Sequence, residues 1–140
     1  MDPGEQLSRL VFGYRVSAAI SAAAEFRIAD RIGDVPRSAD ELAAEAGAHP
    51  RTLYRLLRAL AAVGVFHEHD DGRFSHSAMS ERLRAGVPGS IHAWARLLGT
   101  PHIWNTWGRL ADSVRTGENT FHLVHGTTVW EYRASHPRAQ

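Results

Sequence analysis

Between residues 38 and 77 the spacing of apolar positions changes from three-to-four to two, and the change describes helix, turn, helix and hairpin. Ser38 is placed as an N-cap, and Glu41 three residues on gives the capping-box pattern. Leu42, Ala43 and Ala46 make an apolar stripe, and Gly47 stops that helix where a left-handed residue is wanted. Pro50 suits a helix start because its missing N–H costs nothing there. Residues 51–63 then carry Leu53, Leu56, Leu57, Leu60 and Val63 at helical spacing, and Gly64 closes the element. Residues 65–68 and 73–75 are short extended runs joined by Asp70-Asp71-Gly72, a hairpin signal. This is the plan of a winged helix.

Upstream, residues 4–29 read as one long helix with two apolar stripes. Leu7, Leu10, Val11, Tyr14 and Ala18 form one; Phe12, Val16, Ala19, Ala23 and Phe26 form the other. Only Arg9, Ser17, Ser21 and Glu25 interrupt them, whereas a helix covered on one side is polar opposite its stripe. Two buried faces in so short a chain call for a partner over one of them, with Leu7, Leu10, Val11, Tyr14 and Ala18 as the dimer interface. The alternative is a central helix wrapped by its own domain. Residues 28–32 continue as a short helix, and Gly33 to Pro36 is a break. Downstream, a short helix over 77–84 with Ser77 as cap, a helix from Ser90 through Leu98, and a helix over 102–115 are expected. Two further short helices over 121–124 and 129–134 follow. The fold class is mainly α: a winged-helix-like module with a small hairpin wing, plus additional helices at both ends. The expected organisation is 1–36 N-terminal dimerisation helices, 37–86 winged helix, 87–134 C-terminal helices, and 135–140 the start of a linker.

Charge changes what the winged helix means. Arg51, Arg55 and Arg58 share a face of the second helix at spacings that could meet phosphates or guanine edges. Yet residues 38–86 hold six arginines against seven acids, and Glu68, Asp70 and Asp71 sit on the wing itself. A phosphate backbone repels such a module, so no nucleic acid is expected as partner. The whole chain, 140 residues with formal net charge +1, is close to neutral. It has no cysteine, hence no disulfide, thiol nucleophile or zinc–thiolate site, and this suits a reducing cytoplasm, where the chain is expected. No apolar run approaches the ~20 residues of a membrane span, and no membrane partner is expected.

Candidate chemistry is sparse. His67 and His69 alternate on a strand, with His76 close in sequence, and His122 and His125 are three apart; no metal-binding signature accompanies them, and no metal is expected. There is no nucleophile elbow, phosphate loop or dinucleotide fingerprint, so no catalytic and no cofactor-binding residue is assigned. The aromatic cluster is more informative. Trp94, Leu98, Trp104, Trp107 and Phe121 fall within a short span. Core or interface packing accounts for them, and so does a flat apolar pocket for a planar small molecule.

The order IADRI, SADELAAEAG, HPRTLYRLLRALAAVGVF, DDGRFSHSAMSERLR, PGSIHAWARLL, WNTWGRLADSVRTG and VWEY resembles the N-terminal region of S-adenosylmethionine-dependent small-molecule O-methyltransferases. The likeness is to the bacterial members that tailor natural products, related to the plant caffeate and flavonoid enzymes. It implies a dimerisation domain whose N-terminal helices intertwine with those of a second subunit, forming a homodimer. It also implies that the winged helix does not bind DNA, and that the helices after the wing help roof the acceptor pocket. Trp94, Leu98, Trp104, Trp107 and Phe121 are therefore the substrate-facing candidates. In that family the methyl donor and the catalytic base belong to a C-terminal domain with a glycine-rich loop, and no such loop occurs in these residues. The chain alone is thus expected to bind no cofactor and to be inactive. S-adenosylmethionine and a small aromatic or polyketide-like hydroxyl acceptor are implied for a full-length form. A winged-helix transcriptional regulator, contacting DNA through Arg51, Arg55 and Arg58, is the alternative.

Overall fold

The computed structural model describes residues 1–137. The chain divides into two compact units, one spanning Met1–Arg96 and one from Leu97 onward. The first begins with α1 (Pro3–Glu25), capped by the Asp2 carboxylate, which accepts from the Glu5 amide at 3.2 Å. The helix stops four residues short of the expected end because Arg27 takes a left-handed conformation, φ 52°. No glycine or proline marks that break. Arg27 Nε donates to Asp30 Oδ2 (3.1 Å), and Arg31 Nε donates to the Phe26 carbonyl (2.9 Å), which fixes the corner before α2 (Ile28–Ile32).

Next come α3 (Ala39–Ala46) and α4 (Pro50–Ala62). Ser38 Oγ accepts from the Glu41 amide at 3.1 Å, as the capping pattern requires. The Glu41 carboxylate, however, takes up Arg37 Nε at 3.4 Å. Gly47 ends α3 in the left-handed region (φ 69°), and His49 Nδ1 accepts from Thr52 N to cap α4. The hairpin is β1 (Phe66–Glu68) against β2 (Phe74–His76), antiparallel, with Phe66 opposite His76 and Glu68 opposite Phe74. Its loop turns at Asp70-Asp71, with Gly72 at φ 80° and the His69 N–H donating to the Arg73 carbonyl at 2.8 Å. Arg37 adds a one-residue bridge on the far side of β2, exchanging both backbone hydrogen bonds with Phe74 (2.9 and 2.8 Å).

The core of this unit is built from Ile28, Ile32, Leu42, Leu53, Leu57, Leu60, Phe66 and Phe74, all buried. Tyr54 meets Phe74 edge-on at 5.8 Å between ring centroids and donates its hydroxyl to Glu68 Oε1 at 2.8 Å. Beyond the wing, a 3-10 turn (Ser80–Leu83) replaces the expected short helix. Ser77 Oγ accepts the Met79 and Ser80 amides just ahead of that turn, but the residue at its N-cap is Met79, not the expected Ser77.

Helix α5 (His92–Leu98) runs across the boundary between the units. The second unit then carries α6 (Pro101–Gly108), α7 (Leu110–Thr116), α8 (Thr120–His125) and α9 (Val129–Ser135). The single helix expected over 102–115 is two, since the chain breaks at Gly108–Arg109, where Arg109 ends α6 with φ −106°. Helix α9 opens on a full capping box, Thr128 Oγ1 accepting from the Glu131 amide and Glu131 Oε2 from the Thr128 amide.

Candidate functional site

Apolar side chains are exposed on α1, on α5 and on α6. In α1 full burial starts at Ser21, with Ala23 and Ala24, and Ala19 and Ile20 are partly buried against the core; apart from the half-buried Gly13, residues 3–18 are exposed. Leu7, Leu10, Val11, Tyr14 and Ala18 are all exposed, Leu10 by 78%. The second stripe wraps onto the domain only in part: Phe12 and Val16 are exposed, while Ala19 packs against the core and Ala23 lies in it. Arg15 lies over the Phe12 ring, its guanidinium carbon 4.2 Å from the centroid. Both sides of the helix are therefore open over the same stretch. A soluble chain seldom exposes so continuous an apolar surface unless something docks on it.

Of the substrate-facing candidates, Trp94 and Leu98 are four apart on α5 and both exposed, Trp94 by 64%. Trp104 and Trp107 are three apart on α6, with Trp107 65% exposed. Phe121 is only 7% exposed. It sits among rings: His125 at 4.4 Å, Tyr132 at 5.5 Å and His102 at 6.3 Å between centroids. That cluster was not foreseen. Phe121–His125 and Tyr132–His136 are both four apart, the spacing at which helical side chains meet, and this was the available signal.

Among the described residues of the second unit, His102 is the buried polar one. Burial first, then the proximity of His125, Arg133 and His136, lowers its pKa from the ordinary 6.5, so the ring is held neutral. In the hairpin, His67 and His69 do share a side, their rings 4.5 Å apart and perpendicular. Among the described residues no group of three or more His, Asp or Glu is arranged to hold a metal ion. Arg51, Arg55 and Arg58 are exposed along α4, on a module whose wing carries Asp70 and Asp71 equally exposed. No helix among the described residues is long and apolar enough to cross a membrane.

A winged-helix scaffold preceded by a long, largely exposed apolar helix is the arrangement of a protein-association domain. Comparison with known proteins makes the class specific: the family model for the O-methyltransferase dimerisation domain matches residues 8–86, more than half of the chain. The chain belongs to that family. It is 36% identical over 133 residues to the phenazine O-methyltransferase PhzM of Lysobacter antibioticus, a match covering 95% of this chain and 39% of that protein. The crystal structure of LaPhzM superposes with a TM-score of 0.94 at 34% identity, covering 99% of this chain and 42% of that one. An O-methyltransferase from neocarzinostatin biosynthesis (NcsB1), solved with S-adenosylmethionine and 2-hydroxy-5-methyl naphthoic acid, gives a TM-score of 0.73 at 33% identity. That match covers 88% of this chain and 38% of NcsB1. The chain thus spans about two fifths of the length of the relatives it matches.

Proposed function

We propose that this chain is the dimerisation and acceptor-lid portion of an S-adenosylmethionine-dependent O-methyltransferase that modifies a small aromatic or polyketide-like hydroxyl compound. The observation that carries the reading is α1. Its first four turns carry exposed leucine, valine, phenylalanine and tyrosine on two stripes, and a second copy of the same helix region is the occupant that a dimerisation-domain family supplies. The working unit is then a homodimer. Organisation as 1–36 dimerisation helices, 37–86 winged helix, 87–134 pocket roof and 135–140 linker start belongs to the same reading.

The winged helix serves as scaffold in this reading. Leu53, Leu57 and Leu60 of α4 point into the core and hold the hairpin, while the acids of the wing weaken any approach to phosphate. The lid role rests on Trp94, Leu98, Trp104 and Trp107, which are exposed, flat or aliphatic, and suited to stack on a planar acceptor. Phe121, enclosed by its neighbours, would shape the roof from behind. The acceptor chemistry is argued from relatives whose names and bound ligands are a phenazine and a naphthoic acid. Methyl donor and proton acceptor would be held outside these residues.

The test uses a full-length form. Trp107→Ala should weaken acceptor binding by about tenfold, the loss of one stacked ring being worth ~1–1.5 kcal/mol, with S-adenosylmethionine affinity unchanged. Unchanged acceptor affinity would remove Trp107 from the lid. The 140-residue chain itself should show no heat of binding with S-adenosylmethionine; micromolar affinity would overturn the division of labour.

A further inference from the structure

The second unit is held together in an unusual way. Among the described residues its two buried side chains are His102 and Phe121, and none of its aliphatic side chains is fully buried. In place of an aliphatic core there is a pile of rings. Tyr132 lies between two imidazoles, His102 at 5.1 Å with an interplanar angle of 25° and His136 at 4.2 Å with 12°. Phe121 closes one side edge-on, and His125 lies 4.8 Å from Tyr132. His125 also uses Nε2 to reach the His102 carbonyl at 3.0 Å. The pile therefore clasps α6, α8, α9 and the residue after α9.

The electrostatics of the pile are one-sided. His102 is 6% exposed, and its Nε2 is buried with no hydrogen-bond partner. From α8 it is faced by His125, with His122 exposed beyond; from α9 by Arg133, whose Nε is also buried without a partner; and after α9 by His136. The acids of the surrounding elements are engaged elsewhere. Asp112 of α7 binds Arg109 and Arg115, Glu131 of α9 binds Thr127 and Thr128, and Glu118 is exposed in the loop before α8. No ion pair to any ring of the pile is formed among the described residues. A proton arriving on His102 would meet desolvation and three cation-forming neighbours with no counter-charge.

We propose that the His102–Tyr132–His136 stack, with Phe121 and His125, is an acid-sensitive clasp that holds the second unit closed near neutral pH and releases it when His102 gains a proton. This does not depend on the methyltransferase reading. The sign follows from linkage. A histidine more acidic in the folded than in the unfolded state lets the unfolded chain bind more protons, so stability is complete above pH 6.5. It is lost as pH falls below 6.5 towards the lowered folded value. The first unit contains none of these residues and is the internal reference.

The experiment is a pH titration of the 140-residue chain with carbon-13 label in histidine and in the aromatic rings, followed by NMR from pH 8 to pH 4. His102 should protonate below the ordinary histidine range, together with collapse of the Tyr132 and Phe121 ring shifts, while Phe66 and Phe74 in the first unit keep theirs. His102→Phe, which keeps a ring and removes the proton site, should move the collapse of the Tyr132 signals down by about one pH unit or more. Protonation of His102 with Tyr132 and Phe121 unmoved would overturn the clasp. So would loss of Phe66 and Phe74 at the same pH as Tyr132. Should His102→Phe fail to fold, the wild-type titration decides between these outcomes alone.

Discussion

Leu10 is the residue on which the α1 interface can be weighed. It is 78% exposed in the single chain, so nearly all of its side chain is available to a partner. Leu10→Ala removes three carbons, worth about 2.4 kcal/mol at roughly 0.8 kcal/mol per carbon buried. Allowing for the fraction already covered, about 2 kcal/mol is lost per protomer. A two-fold interface meets the substitution twice, giving about 4 kcal/mol, or about a thousandfold in the dimer dissociation constant. Alanine is the best helix former, so α1 should not melt and the circular dichroism of the variant should match the wild type. Sedimentation equilibrium over a wide concentration range reads the constant directly. A wild-type chain that remains monomeric, or a variant whose constant lies within about tenfold of the wild type, would refute the assignment of this face.

Other consequences can be checked on the chain as it stands. Phe74 is fully buried between Tyr54 and the α2–α4 core, so Phe74→Ala should cost about 3–5 kcal/mol in urea unfolding, enough to unfold a marginal domain. Arg37 hydrogen-bonds Glu45 at 2.7 Å and holds its carboxyl below the ordinary 4.5. A depressed carboxyl stabilises above 4.5 and loses that contribution as pH falls through its folded value. Glu45→Gln should therefore flatten the acid limb of the urea midpoint below about pH 4.5; an unchanged limb would contradict the pairing.

The first unit was legible because its punctuation is chemical. Ser38, Gly47, Pro50 and the Asp70-Asp71-Gly72 turn each allow few backbone conformations, and the strands they delimit agree with expectation to within one residue. The unexpected breaks have no such mark or a masked one. At Arg27 a non-glycine residue takes a left-handed conformation, and propensity carries no trace of that. At Gly108 the apolar period of Trp104, Trp107, Leu110 and Val114 runs through the break, so the pattern hides it. The lack of a polar side on α1 was visible, whereas the openness of its second stripe was not. That depends on where α2 and α4 stop, a tertiary fact. The ring pile escaped notice because a hydropathy pattern counts histidine as polar, although a neutral imidazole stacks as an aromatic.

Arg37 has a consequence for how the wing meets other chains. A two-stranded ribbon has two rows of unpaired amides and carbonyls, and each invites a foreign strand. On the β2 side that row is closed at Phe74 by both backbone bonds of Arg37. The arginine is in turn anchored by its guanidinium to the Arg31 carbonyl (2.8 Å) and to Glu41 and Glu45. An incoming strand would have to strip out an arginine tied to two helices before it could pair at Phe74. This single residue thus blocks strand addition at Phe74, in the middle of that edge.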